Sequence, residues 1–209
     1  DESGAYQFSS MRPGSYTAVA SKEGFISQWV YLAVVGGVTR TDFDITLSRP
    51  LGEGYRFVLT WGETPVDLDS HLVTPLIEGL AYEVRWNNRG SLDAPPYANL
   101  DVDDQVSYGP ETVTIAANYD GTYRYAVYAW STDALLSQSQ ARVVLYSGDQ
   151  ILRQWSVPGA GTGRWWYVCD LNAVTAAVQS VNSLQDDPPS GMSPSLVGAT
   201  KPGTVRGTR

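Results

Sequence analysis

The chain has 209 residues, with 22 acidic against 14 basic side chains and a net charge of −8. That acidity argues against a nucleic-acid backbone as partner, a single cysteine excludes an intramolecular disulfide, and a single histidine leaves little for His-based catalysis. No apolar run approaches the roughly 18 residues a membrane helix needs, and the opening Asp1-Glu2-Ser3-Gly4 is not a leader pattern. The expectation is a soluble, globular chain that does not span a membrane.

In chain order, Ser15–Ala20, Tyr55–Trp61 and Thr122–Tyr128 are short runs in which apolar and polar residues alternate. The period of two, with abundant Tyr, Trp, Val and Thr, predicts half-buried strands. Arg12-Pro13-Gly14, Tyr119-Asp120-Gly121 and Ser147-Gly148-Asp149 supply turn chemistry between strands. The segment from Asn172 to Ser183 reads equally as a helix or a strand. The fold class predicted is all-β: two antiparallel β-sandwich domains in tandem, followed by an extended irregular C-terminal tail.

Composition places the divisions. Residues 1–50 form a first segment, closed by the Pro/Gly-bearing junction Leu47–Gly54. Residues 51–184 form a second, with 15 acidic and 7 basic residues, so the acidity belongs there. Residues 185–209 form a tail in which Pro188, Pro189, Pro194, Pro202 and four glycines interrupt any periodicity. Such a tail gains order only by lying against something else, either a neighbouring chain or its own domain.

The run Asp1-Glu2-Ser3-Gly4-Ala5-Tyr6-Gln7-Phe8, then Pro13-Gly14, Tyr16, Ala18 and Gly24-Phe25, resembles a carboxypeptidase-regulatory-like domain over residues 1–48. The resemblance implies a prealbumin-like β-sandwich, with Tyr6 and Phe8 on one face of a strand and Tyr16 and Ala18 returning on the same face. The match begins partway through the family pattern, without its opening strand. Either that strand lies outside this sequence or a neighbouring chain donates it. The run Trp61-Gly62-Glu63-Thr64-Pro65-Val66-Asp67-Leu68-Asp69-Ser70-His71-Leu72 is followed by Leu100-Asp101-Val102-Asp103-Asp104 and Tyr108-Gly109-Pro110-Glu111-Thr112. In this order they resemble the YfaP-type domain of bacterial exported proteins, over residues 54–184. That resemblance implies an exported, non-catalytic β-sandwich located in the periplasm, outside the cell or on its surface.

Alternation along the 66–72 strand sends Val66, Leu68, Ser70 and Leu72 to one face and Asp67, Asp69 and His71 to the other. A second group of carboxylates follows at Asp101, Asp103 and Asp104, leading to Glu111. Crowded carboxylates repel one another, and a hard cation relieves the repulsion with oxygen ligands. Asp67, Asp69, Asp101, Asp103, Asp104 and Glu111 are therefore a candidate calcium site, the competing reading being hydrogen bonding to nearby backbone. No other cofactor is indicated.

Ser70 and His71 are adjacent on a strand and face opposite ways, which rules them out as a nucleophile–base pair, and no nucleophile-elbow motif is present. The functional expectation is a non-catalytic exported interaction module, a subunit of a larger assembly. Neighbouring chains would engage the 1–50 edge and the 185–209 tail. The alternative is a carbohydrate-binding module that uses exposed Trp and Tyr.

Overall fold

The computed structural model describes residues 5–23, 25, 27–39, 45, 47, 54–105, 107–193 and 201. Residues 48–53 of the 47–54 junction and most of the proline-rich tail therefore lie outside the described residues, as does the side chain of Trp29. The chain separates into two compact units, residues 1–50 and 51–209.

In the first unit, β1 (Gly14–Ala20) and β2 (Gln28–Val34) form a two-stranded antiparallel ribbon, with Gly14 opposite Val34 and Ala20 opposite Gln28. Tyr16, Ala18 and Ala20 share the half-buried face, and Ser15, Thr17 and Val19 are exposed, as the alternation predicts. The Tyr16 hydroxyl donates to the Arg12 carbonyl at 2.9 Å and pins the turn before the strand. The expected strand through Tyr6 and Phe8 does not form. Both rings are exposed and pack edge-to-face on each other at 5.9 Å. Alternation makes a segment able to pair but does not by itself make it a strand. Among its described residues this unit shows a two-stranded ribbon, and much of the expected sandwich falls on residues outside the described ones.

The second unit is a β-sandwich. One sheet joins β3 (Tyr55–Thr60), β6 (Gly90–Ser91), β7 (Ala98–Val102), β8 (Glu111–Ile115), β10 (Arg142–Ser147) and β11 (Gln150–Ser156), in the order β11-β10-β3-β8-β7-β6. The other joins β4 (Leu68–Val73), β5 (Glu83–Val84), β9 (Tyr123–Ala129), β12 (Trp165–Asn172) and β13 (Ala177–Gln185), in the order β13-β12-β9-β4-β5. Every pairing in both sheets is antiparallel. Inward residues of both sheets share one core, including Phe57, Leu59, Val113 and Ile115 from the first and Leu68, Leu72, Tyr125 and Trp166 from the second. Phe57 stacks flat on Tyr125 across the interface, with centroids 4.2 Å apart.

The Asn172–Ser183 ambiguity resolves as a turn and a strand. The Asn172 side chain accepts the backbone N–H groups of Val174 and Thr175, offering the chain a turn in place of a helix. After β13 the chain turns across the outer face of the second sheet. There Met192 is buried against Ala126, Tyr128 and Trp165, and Arg124 donates to the Ser190 carbonyl. The described part of the tail thus lies on its own sandwich.

Gly109 is among the glycines that geometry requires. Gly109 has φ +73°, and a Cβ there would sit 2.6 Å from Trp61 Cζ3 and 3.0 Å from the Leu59 carbonyl oxygen. Gly109→Ala is therefore expected to cost about 2 kcal/mol or more in urea unfolding, through backbone strain and collision with a buried ring. An unchanged midpoint would contradict this placement.

Candidate functional site

The carboxylates converge at one end of the sandwich, around the start of β4. Between Leu68 and His71, β4 pairs with β9 on one side only, because β5 reaches no further than Leu72 and Val73. Glu111, the first residue of β8 in the opposite sheet, occupies the open side and accepts the Ser70 N–H at 2.6 Å. A fully buried glutamate thereby satisfies a strand edge that no neighbouring strand among the described residues covers. Ser107 and Tyr108 hold Glu111 in place from just upstream. The Ser107 N–H donates to the Val66 carbonyl, while the Tyr108 N–H donates to Gly62 and its carbonyl accepts Trp61 N–H.

Asp67 is fixed through its backbone: its N–H donates to the Ser131 hydroxyl, and its carbonyl accepts Trp130 N–H. Ligand oxygens of Asp69, Asp103 and Glu111 lie within 4.8 Å of one another. Asp67 and Asp69 are buried, Asp103 is half-buried, and Asp104 adds its charge next to Asp67. Asp101 does not join them. It lies at a bulge in β7, where its carboxylate accepts the Thr114 hydroxyl at 3.2 Å beside Arg56. Leu100 faces the core, so alternation turns Asp101 outward. Four of the six sequence candidates thus form the cluster, the fifth flanks it, and Asp101 belongs to another network.

A lysine from the tail fills the cluster. Lys201 Nζ donates to Asp69 at 2.5 Å and to Asp67 at 2.8 Å, and reaches Asp103 at 3.4 Å. Its ammonium also lies 5.1 Å from the Trp130 ring centre and 6.0 Å from that of Trp86, two indoles packed edge-to-face. Acid and aromatic faces together make a receptacle for an ammonium group. Lys201, Trp86 and Trp130 were not among the sequence candidates. The available signal was that Lys201 is one of only two lysines in the chain.

Burial dominates the electrostatics. It raises Asp69 to about 7, with Lys201 opposing the rise and Asp67 adding to it. Burial, reinforced by Asp69, also pushes Glu111 well above the usual carboxylate range. Asp67 rises for the same reason, again opposed by Lys201. For Lys201, burial favours the neutral amine, but Asp69 and Asp67 outweigh it and hold the ammonium above its ordinary value. Asp69 Oδ2 and Glu111 Oε1 are buried without a hydrogen-bond partner.

His71 lies apart from this chemistry. It is fully buried, its Nδ1 pairs with Glu83 Oε1 at 3.0 Å, and its ring lies edge-on to Trp165 at 4.7 Å. Burial, opposed by Glu83, pulls its pKa down. Glu83 also accepts the Ser193 N–H and so ties the tail to the same sheet. On the other face of β4, Ser70 Oγ bonds the Tyr125 hydroxyl at 2.8 Å. Cys169 is buried in the core.

No protein-family model and no curated protein matches the chain, so the two resemblances rest on their motifs alone. A solved structure described as the unknown-function protein SAV2460 is similar, with a TM-score of 0.49 and 17% identity, over 66% of this chain and 93% of that one.

The raised acids set a pH dependence. As pH rises from about 4 to about 7, unfolded Asp69 loses its proton while folded Asp69 keeps it, so the stability this group contributes is lost across that window. His71 works in the opposite direction, but equally in wild type and variant. Comparing urea unfolding at about pH 4.5 and about pH 7.5, the stability of Asp69→Asn relative to wild type should shift in the variant's favour by on the order of 1 kcal/mol or more. A difference that does not change with pH would contradict the assignment.

Proposed function

We propose that this chain is a non-catalytic exported interaction module, a subunit of a larger assembly joined through its tail and open strand edges. The observation that carries the reading is the capture of Lys201, together with residues 188–193, by the sandwich of the second unit. A sheet face that takes up a peptide segment through a charged anchor and a buried methionine is a docking surface for chain. The same segment from a second copy would make the same contacts, which is how exchanged elements build assemblies. The ribbon of the first unit, with Phe8 exposed beside it, offers a further edge.

Two further observations support a non-catalytic role. Ser70 and His71 point to opposite faces of β4, and the Cys169 thiol is held well above its ordinary value by burial. The carbohydrate alternative has less support, since Trp61, Trp155, Trp165 and Trp166 are all buried. Export rests on the YfaP-type motifs.

Light-scattering mass across a concentration series tests the assembly. The reading predicts multimers whose population falls in Lys201→Glu, because an acidic residue at that position repels the pocket. A wild-type chain that stays monomeric from micromolar to near-millimolar concentration would contradict it.

A further inference from the structure

We infer that the pocket of Asp67, Asp69, Asp103 and Glu111 is a calcium-class divalent-cation site, and that Lys201 is its built-in competitor. The inference rests on the geometry of the pocket and stands whether or not the chain assembles.

Three observations carry it. The first is convergence: oxygens of Asp69, Asp103 and Glu111 lie within 4.8 Å of one another, with Asp67 alongside. Oxygens that share one calcium ion at about 2.3–2.6 Å stand at most about 5 Å apart, so the cluster has the right size. The second is unsatisfied valence. An ammonium has three N–H bonds, and those of Lys201 are directed at Asp67, Asp69 and Asp103. Asp69 Oδ2 and Glu111 Oε1 remain, both on side chains shut off from solvent and both without any partner. A buried acceptor left unpaired is costly, and an ion with six to eight coordination places would satisfy both. The third is charge. One positive group faces four carboxyl groups, and a divalent ion offsets twice as much.

The four side chains carry two oxygens each; Glu111 Oε2 is committed elsewhere, to the Ser70 N–H, and Asp103 Oδ2 accepts the Gln105 amide at 2.9 Å. Such a donor set, all carboxylate and enclosed, suits calcium. Magnesium keeps several of its waters and fits poorly in a closed protein cage.

The two occupants exclude each other. Lys201 Nζ, 2.5 Å from Asp69 Oδ1, stands in the space an ion bound to Asp69 and Asp103 would fill. Calcium must therefore expel the Lys201 ammonium from the pocket.

The test titrates calcium chloride, and separately magnesium chloride, into the EDTA-treated and dialysed full-length chain by calorimetry. Wild type is compared with Lys201→Met and Glu111→Gln. Lys201→Met, freed of its competitor, should bind one calcium per chain at least about tenfold more tightly than wild type. Glu111→Gln, which keeps an oxygen for Ser70, should bind at least about tenfold more weakly than wild type. Calcium should also speed acylation of the Lys201 amine by an N-hydroxysuccinimide ester in the wild-type chain, read by mass spectrometry with exposed Lys22 as internal reference, a readout that does not depend on either variant folding. Equal calcium affinity in wild type and Lys201→Met, or acylation unchanged by saturating calcium, would overturn the competition. Absence of calcium binding to wild type and Lys201→Met at millimolar ion, or tighter binding of magnesium than calcium, would overturn the site.

Discussion

An ammonium group surrounded by buried carboxylates is expensive to assemble. Each charge loses its hydration, and in a protein interior that loss is recovered only when pairing and hydrogen bonding are nearly complete. Around Lys201 they are complete for the cation and incomplete for the anions. Nζ has its acceptors and two indole faces, whereas Asp69 and Glu111 each keep an oxygen with no partner. Raised carboxyl pKa values are the chemical expression of that imbalance. An imbalanced pocket favours whatever delivers more positive charge and more coordination.

The sandwich makes this possible by leaving β4 half-paired. A fully flanked strand would have its N–H groups taken up by a neighbour, and Glu111 would have no reason to be buried. Because β5 is only two residues long, the Ser70 N–H is left for the glutamate, and the end of the sandwich stays open to the 103–109 loop. Gly109 permits the approach of that loop to Trp61, and the 130–131 backbone holds Asp67. The site is a consequence of sheet topology as much as of its acidic residues. The outer face of the same sheet, with His71 on Glu83 and Met192 on Trp165, takes up the segment that leads toward Lys201.

Much of this was legible in the sequence. Period-two alternation sends Val66, Leu68, Ser70 and Leu72 to one face and Asp67, Asp69 and His71 to the other; from Leu68 to Leu72 the structure agrees, whereas Val66 precedes β4 and is exposed. The Asp-rich strand, the Asp-rich loop and Glu111 were recognisable as one charge cluster because acids seldom crowd without a counter-charge. Asp101 was misjudged because proximity in sequence says nothing about which side of a bulge a residue faces. Tyr6 and Phe8 show the same limit from the other side: a strand-like alternation does not by itself make a strand. Lys201 was not recoverable from local pattern. Its partners lie 98 to 134 residues away, and nothing in a Pro/Gly-rich segment indicates where it will dock.

The central claim is that Lys201 and Asp69 interact directly in a desolvated pocket. A double-mutant cycle of Lys201→Met and Asp69→Asn, read by urea unfolding at neutral pH, measures that interaction most directly. The account predicts a coupling of about 2 kcal/mol, with the double variant losing far less than the two single losses together. Additive losses would show that the ammonium and the carboxylate do not sense each other, and would contradict the account.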